Sequence, residues 1–187
     1  MKIRESGMPE QEMWERFFDP RSILLTLGMT SQIGDVAEFG CGYGTFTLPA
    51  AQIIKGTIFA IDIEPDLISV VGDKARKQHL NNINPVLQDF MTDGSGLPDE
   101  SVDYVMLFNI LHLDNPAVLL AEAWRILKHG GITGIIHWNH DPFTPRGPSL
   151  AIRPKPEDCM RWAQSAGFHN PIRYDLKPYH YGITFVK

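Results

Sequence analysis

Residues 36–45 read V-A-E-F-G-C-G-Y-G-T, and this stretch decides how the chain folds. An apolar run ends at Phe39, and glycines follow at positions 40, 42 and 44. Glycine permits positive φ angles and the close approach of another group to the main chain. A tight turn between a strand and a helix is the plainer alternative, but it does not require a glycine at every second position. The stretch therefore predicts a strand that leads into a ligand-binding loop, with the carboxylate of Glu38 beside it.

Strands and helices alternate after this stretch. Predicted strands cover residues 35–39, 56–63, 84–89, 101–109 and 130–138, and predicted helices cover residues 45–54, 65–80, 115–128 and 155–168. Near-continuous apolar strands between helices are typical of a parallel sheet that is covered on both faces. Two more strand-like segments, residues 171–176 and 180–187, are too close for a helical crossover and should pair as a hairpin. The predicted fold class is therefore α/β, a doubly wound, mainly parallel seven-stranded sheet with an antiparallel C-terminal hairpin.

Two short helices are predicted before the first strand. Residues 9–18 carry Trp14, Phe17 and Phe18 at helical spacing, which predicts an amphipathic helix. Asp19-Pro20 separates it from a second helix at residues 21–28. Aromatic residues in this pattern usually belong to the hydrophobic core.

Composition excludes several classes of protein. The chain has 187 residues and a formal net charge of −5, without a basic cluster that would indicate a nucleic-acid partner. Its two cysteines, Cys41 and Cys159, stand far apart and indicate neither a disulfide framework nor a metal site. The first ten residues lack the apolar run of a signal peptide, and no stretch is apolar enough to span a membrane. We therefore expect a cytoplasmic protein without a nucleic-acid or membrane partner.

Two classes of ligand compete for the glycine-rich loop. A dinucleotide site requires G-x-G-x-x-G, with the pyrophosphate at a helix N-terminus. The spacing here is G-x-G-x-G, and Thr45 stands where the third glycine would be. Glu38 is also poorly suited to a pyrophosphate, because both groups are anionic. A ligand with an amino-acid end is a better match, since it brings an ammonium group as well as a carboxylate.

At these residues the chain resembles the class I S-adenosylmethionine-dependent methyltransferases, and within them the small type 11 methyltransferase domain. The segments that carry the resemblance are E-F-G-C-G-Y-G-T (38–45), F-A-I-D-I-E-P-D (59–66), L-Q-D-F (87–90) and L-F-N-I-L-H-L-D (107–114). A fifth segment, W-R-I-L-K-H-G-G (124–131), resembles the family's L-K-P-G-G turn, with His129 in place of proline in a predicted surface turn. By motif the resemblance covers residues 33–139, and by order of elements it includes the closing helix and hairpin.

The resemblance implies S-adenosyl-L-methionine as the cofactor. The methionine part would be wrapped by Gly40, Cys41, Gly42, Tyr43 and Gly44. Glu38 would hold the amino group, and Asn109 would lie near it. Capping the end of the strand is an equally simple role for Asn109.

The resemblance also assigns the adenosine part of the cofactor. Asp62 would accept hydrogen bonds from both ribose hydroxyls, since a carboxylate has two acceptor oxygens, and Ile63 would pack on the adenine. Asp89 would bind the adenine amino group, and Phe90 would lie at the edge of the ring. Simpler roles exist here too, because Asp62 can cap the following helix and Asp89 can belong to an ordinary loop.

One domain, residues 1–187, is expected. Residues 1–30 would form the N-terminal helices, which in this family commonly cover the cofactor as a lid. Residues 33–139 would form the cofactor-binding core, and residues 140–187 the closing helix and hairpin. No insertion is predicted between the fourth and fifth strands, so we expect an acceptor that is a small molecule or that is presented on the open face above the sheet.

Methyl transfer from a sulfonium is a displacement at carbon that depends mainly on orienting the reacting groups. A general base helps only where the nucleophile must lose a proton. His112 and His137 lie near the ends of predicted strands and are candidates for such a base, although a lone histidine more often has a packing role. The Pro- and Gly-rich loop at residues 141–150 is a candidate substrate wall.

Three functions are compatible with this pattern. The first is a small-molecule methyltransferase, and the second is a protein that binds S-adenosylmethionine without catalysis. The third, a nicotinamide-dependent oxidoreductase, is disfavoured by Thr45 and by the closing hairpin. The sequence leaves the acceptor atom, the oligomeric state and the pathway open.

Overall fold

The computed structural model describes residues 10–187. Its strands are β1 (Val36–Phe39), β2 (Ile58–Asp62), β3 (Ile83–Leu87), β4 (Val102–Phe108), β5 (Leu127–Trp138), β6 (His169–Leu176) and β7 (His180–Val186). Its helices are α1 (Gln11–Glu15), α2 (Pro20–Thr26), α3 (Thr47–Ile53), α4 (Pro65–Lys77), α5 (Pro116–Ile126) and α6 (Pro156–Ser165). Nine residues of the predicted N-terminal segment, 1–9, and the predicted lack of a signal peptide there lie outside the described residues.

The seven strands form one sheet in the order β3-β2-β1-β4-β5-β7-β6. β1 to β5 run parallel, and β7 runs antiparallel to both of its neighbours. The predicted fold class is therefore confirmed, including the antiparallel C-terminal hairpin. Because β7 is reversed, its first residue, His180, pairs with Trp138 at the end of β5. The edge at which β1 to β5 end, called the carboxyl edge below, thus gains residues from β7.

Local sequence explains where the helices begin. Proline is the first residue of α2, α4, α5 and α6, where the missing N–H costs little. Asp19 caps α2, since its carboxylate accepts a hydrogen bond from the Ser22 N–H at 3.1 Å. Pro49 lies in the first turn of α3, the position at which a helix tolerates it. These signals explain the close agreement between the predicted and observed boundaries of these helices. The first predicted helix, residues 9–18, differs, because α1 ends at Glu15 and Phe17 and Phe18 lie outside it.

The core lies on both faces of the sheet. Every residue of β1 is buried, as expected for a central strand between two layers of helices. On one face α2 contributes Leu24 to a cluster that includes Met106, and the Tyr104 hydroxyl donates a hydrogen bond to the Leu27 carbonyl at 3.0 Å. α5 and α6 cover the other face. In the described part of the chain, no helix is long and apolar enough to cross a membrane.

The L-K-H-G-G segment differs from the expected surface turn. The structure includes it in β5, where the pairing with β4 slips between Val102 and Tyr104. Gly130 has a φ of 76°, which fits an irregular stretch within the strand. The exposed His129 ring lies 3.0 Å from the Glu100 carboxylate, so this residue does not contribute to the carboxyl edge.

Candidate functional site

The fold brings the predicted cofactor residues together at the carboxyl edge. Glu38 is the penultimate residue of β1, Asp62 is the last residue of β2, and Asn109 directly follows β4. β1 lies between β2 and β4, so these side chains come from three adjacent strands. Asp89 follows β3, which pairs with β2. Ligands of open α/β sheets bind in this position.

The glycine loop, residues 40–44, is folded back on the end of β2. The N–H groups of Gly40 and Cys41 donate to the Ile61 carbonyl at 2.8 and 3.1 Å. The Gly42 N–H donates to the Asp62 carboxylate at 2.9 Å. Gly40, Gly42 and Gly44 have φ values of 74°, 53° and 78°, which side chains rarely adopt. The alternating glycines are therefore required by the backbone of this loop.

Gly40→Ala is expected to lower stability and to weaken cofactor binding. The new Cβ would lie 2.8 Å from Ile110 Cδ1, and the φ of 74° costs a side-chain residue about 1–2 kcal/mol. The unfolding midpoint should fall by about 2–8 °C. Gly96→Ala is the control, since Gly96 has a φ of 73° and nothing within 4 Å of an added Cβ. The control should show the backbone cost but bind S-adenosylhomocysteine normally in calorimetry, and equal binding by both variants would contradict the expectation.

Glu38 is a buried carboxyl group that accepts a hydrogen bond from Thr47. Its side chain is 3% exposed, and the Thr47 hydroxyl donates to its Oε2 at 2.5 Å. Burial raises the pKa of Glu38 to about 8, an effect that the Thr47 hydrogen bond opposes and the nearby Asp62 charge increases. A cation that reaches this carboxyl would favour its ionised form. The ammonium group of an amino-acid ligand is such a cation.

Asp62 retains acceptor capacity for a ligand. Its Oδ2 accepts the Gly42 N–H at 2.9 Å, and its Oδ1 accepts the Glu64 N–H at 3.0 Å. Burial raises the pKa of Asp62, whereas these backbone donors act in the opposite direction. Each carboxylate oxygen has a second lone pair, so both oxygens can still accept a hydroxyl. The residue can thus hold the glycine loop and bind a vicinal diol at the same time.

The neighbours of Glu38 and Asp62 in the predicted site include Cys41 and Tyr43 of the glycine loop and Ile63 after β2. Burial raises the pKa of the Cys41 thiol well above its usual range, so Cys41 is a small neutral side chain in the loop. The Tyr43 carbonyl accepts a hydrogen bond from Lys74 Nζ at 2.7 Å. Ile63 is half-buried directly after Asp62. Their contacts with a cofactor stay predictions.

Asp89 and Phe90 already have structural roles in the protein. Asp89 Oδ1 accepts the N–H groups of Met91 and Thr92 at 3.2 and 3.3 Å, so the carboxylate closes its own turn. The Phe90 ring is buried and packs edge-on against Phe39, with 5.3 Å between ring centroids. The simpler role that the sequence allowed for Asp89 is thus present, and adenine binding by either residue stays a prediction.

In the part of the chain that the structure describes, buried polar atoms without a hydrogen-bond partner are concentrated at the carboxyl edge. Asn109 has a φ of 55°, and its buried Oδ1 and Nδ2 have no partner, although its N–H donates to the Ile136 carbonyl at 2.7 Å. Thr45 Oγ1, both ring nitrogens of His137 and His180 Nε2 are in the same situation. Such atoms cost free energy unless a ligand or water satisfies them. Their clustering favours a binding function for this edge.

The two candidate histidines lie side by side. The rings of His112 and His137 pack edge to face, with 5.6 Å between centroids, and both residues are buried. Burial lowers the pKa of His137 well below its usual range, and the neighbouring His112, His180 and Arg153 lower it further. Burial also lowers the pKa of His180 to about 3, with Arg153 adding to the effect. His137 and His180 are therefore neutral at physiological pH.

Two aromatic residues in the turn and the segment that follow α1 pack on this edge. Phe17 packs edge-on against Trp138 at 5.2 Å, and Phe18 lies 4.5 Å from the His180 ring. Phe18 also contacts Phe46, which follows the glycine loop, at 5.1 Å. The sequence left these aromatics divided between core and lid roles. Phe18 packs against a buried core cluster, and the lid role stays a prediction.

Arg153 was not predicted from the sequence. Its buried guanidinium donates to the carbonyls of Asn139 at 2.9 Å, Arg146 at 3.2 Å and Pro148 at 2.7 Å, and to the Thr144 hydroxyl. These bonds hold the Pro- and Gly-rich loop after β5 in one conformation. An arginine at the end of a loop carries no local signal for this role, because its partners are backbone groups.

A polar cleft opens beside this loop, with a volume of about 630 Å³. It lies between the end of β5, the start of α6 and the closing hairpin. Its lining includes Asn139, Asp141, Lys155, Arg173 and Tyr181. Cationic and anionic side chains both line the cleft, so its charge favours no single ligand class.

Comparison with known proteins agrees with this geometry. The model of the methyltransferase domain family matches residues 36–131. A probable S-adenosylmethionine-dependent methyltransferase of Mycolicibacterium smegmatis is 27% identical over 140 residues, which cover 74% of this chain and 51% of that protein. The chain thus spans about half the length of this curated relative.

Solved structures show the same fold. A SAM-dependent methyltransferase from Aquifex aeolicus superposes with a TM-score of 0.83 at 22% identity, covering 94% of this chain and 93% of that one. The [4+2]-cyclase SpnF superposes with a TM-score of 0.77 at 16% identity, covering 98% of this chain and 84% of that one. With the family match over residues 36–131 and the glycine loop and acids at the strand ends, the chain belongs to the class I S-adenosylmethionine-dependent methyltransferases.

Proposed function

We propose that the protein transfers the methyl group of S-adenosylmethionine to a small-molecule acceptor. The observation that carries the proposal is the buried Glu38 carboxyl, which lies beside a loop whose three glycines all have positive φ angles. A buried acid with a raised pKa is unfavourable for the protein alone, and it becomes favourable when a cation binds. Such residues are typical of functional sites.

The residues present fit the cofactor. Glu38 would hold its ammonium group, the glycine loop would contact its methionine part, and Asp62 would accept its ribose hydroxyls. When bound, S-adenosylmethionine supplies an electrophilic methyl group on a sulfonium. Asn109 lies between this site and the end of β5, so its unpartnered amide is available to the methionine end or to the acceptor.

The acceptor would lie at the carboxyl ends of β4 and β5. There the protein would supply orientation and a dry environment, since orienting the reactants can contribute about 7–11 kcal/mol. The aromatic rings of Phe17, Phe18 and Trp138 would exclude water from this region. His112 and His137 are the candidates for a general base, and the neutral form of His137 is the form that can accept a proton.

One observation is compatible with a function other than methyl transfer. The [4+2]-cyclase SpnF shares the fold, so the fold alone does not specify methyl transfer. Nicotinamide chemistry has weaker support, because the loop spacing and the acid at position 38 differ from a dinucleotide site. Acceptor-dependent release of S-adenosylhomocysteine distinguishes methyl transfer from both alternatives.

Asp62→Ala is expected to abolish most of the thermal stabilisation by adenosyl ligands. A ligand at about 100 times its Kd stabilises by about 2.7 kcal/mol, which is a rise of about 5–11 °C for this chain length. S-adenosylmethionine and S-adenosylhomocysteine should produce this rise in the wild type, and NADH should not. Asp66→Ala, an exposed acid in the first turn of α4, is the control and should respond like the wild type. A rise with NADH alone would refute the cofactor assignment.

A further inference from the structure

We infer that Lys74 is a positioning residue that couples the N-terminal helix α1 to the glycine loop. The inference rests on the proposed cofactor site. In this arrangement α1 docks over the carboxyl edge when the glycine loop has its cofactor-binding conformation. Cofactor binding and closure of the N-terminal helix then favour each other.

One ammonium group makes both contacts. Lys74 Nζ donates to the Tyr43 carbonyl at 2.7 Å, and it lies 3.5 Å from Glu15 Oε1. Tyr43 is inside the glycine loop, whereas Glu15 is the last residue of α1. The Lys74 side chain is 22% exposed, so both interactions are partly shielded from water. A single side chain thus connects the two elements.

The face of α4 that carries Lys74 is already packed against the loop. Val71, one turn earlier, is fully buried, and a Cβ on Gly44 would lie 3.2 Å from its Cγ2. The other basic residues in the last turn of α4 do not share this position. Arg76 pairs with Asp73 on the exposed side, and Lys77 is exposed. Within this basic turn of α4, Lys74 is therefore the residue that contacts the glycine loop.

α1 depends on such contacts for its position. It has only five residues, and a helix this short is not stable alone in water. Trp14 of α1 lies 6.3 Å from the Trp138 ring, and Phe17 and Phe18, directly after the helix, pack on Trp138 and His180. Lys74 holds the last residue of α1. Coupling between two sites is reciprocal: the factor by which docking of α1 raises cofactor affinity is the factor by which the cofactor favours docking. A change that loosens α1 should therefore weaken cofactor binding.

The test compares S-adenosylhomocysteine binding by calorimetry in the wild type, Lys74→Gln, Lys74→Arg and Lys77→Gln. Lys74→Gln should raise the Kd about two- to tenfold, since it removes the ion pair with Glu15 and weakens the hydrogen bond to the Tyr43 carbonyl. Lys74→Arg should restore most of the affinity, because it keeps the charge and the donors. Lys77→Gln should bind like the wild type. In hydrogen exchange, the ligand should protect the amides of residues 13–18 in the wild type and in Lys77→Gln but not in Lys74→Gln.

Two results would overturn the inference. One is an unchanged Kd in Lys74→Gln. The other is a raised Kd in Lys74→Gln with full ligand protection of residues 13–18, which would mean that Lys74 stabilises the glycine loop without coupling it to α1. A wild type that binds no S-adenosylhomocysteine is a different result, because it refutes the proposed cofactor site itself. The wild-type titration therefore distinguishes failure of the Lys74 coupling from failure of the proposed cofactor site.

Discussion

Glu38→Gln is expected to stabilise the cofactor-free protein at pH 7 by about 3 kcal/mol and to weaken S-adenosylmethionine binding strongly. The first effect follows from the raised pKa of about 8 in the folded protein, compared with an ordinary value of 4.5. Between these two values the unfolded chain releases a proton that the native protein keeps. The stability that protonated Glu38 contributes is therefore fully present below pH 4.5 and is lost as the pH rises through about 8.

Glutamine removes this pH dependence because it does not ionise. Its amide oxygen can still accept the hydrogen bond from the Thr47 hydroxyl, so the packing should be kept. Urea unfolding at pH 6 and pH 8 measures the effect, and the gain from Glu38→Gln should be larger at pH 8. Glu64→Gln replaces a half-buried acid that follows β2 and is the comparison variant, and its gain at pH 8 should be smaller than that of Glu38→Gln. A Glu38→Gln protein that is less stable than the wild type at pH 8 would contradict the expectation.

Glu38→Gln should lower the affinity for the cofactor, although it raises the stability of the cofactor-free protein. Losing one partner of a buried charge pair costs about 2–5 kcal/mol, which at its lower limit is about 30-fold in Kd. Binding to the wild type should release a proton, so its affinity should rise by up to about tenfold per pH unit from pH 6 to pH 8. Titrations in two buffers of different ionisation enthalpy detect this proton. Equal proton release in Glu38→Gln would exclude Glu38 as its source.

Most of the fold could be predicted from local signals. Proline at the start of four helices, the glycines after β1 and the apolar strands all act through neighbouring residues. The hairpin could be predicted from the short connection between residues 171–176 and 180–187, which leaves no room for a helical crossover. The identity of the cofactor site depended on the glycine loop and on acids at strand ends. Strand order in this fold class then brings those acids together.

The acceptor side could not be predicted to the same extent. His180 reaches the carboxyl edge only because β7 pairs with β5 in one register, and no local pattern specifies that register. Complete burial of His137 and the self-capping of Asp89 also depend on tertiary structure. Arg153 is the clearest case, since all its partners lie in the chain before it and most are carbonyl groups.

Arg153→Met is expected to release the loop after β5 and to destabilise the protein by about 3 kcal/mol. Methionine replaces the aliphatic part of the side chain but leaves the carbonyls of Asn139, Asp141, Arg146 and Pro148 without their donor. Arg153→Lys should lose less, because an ammonium still donates three hydrogen bonds but lacks the planar geometry of the guanidinium.

Urea unfolding and hydrogen exchange over residues 139–153 measure the two effects of Arg153→Met. Arg161→Met is the control, since Arg161 lies on the exposed face of α6, pairs with Asp158 at 2.7 Å and should contribute at most about 1 kcal/mol. S-adenosylhomocysteine binding should be unchanged in Arg153→Met, because the loop borders the acceptor side and not the glycine loop. A loop that stays protected, or a stability equal to that of Arg161→Met, would show that other contacts hold the loop. Loss of acceptor methylation with intact S-adenosylhomocysteine binding would support the loop as the substrate wall.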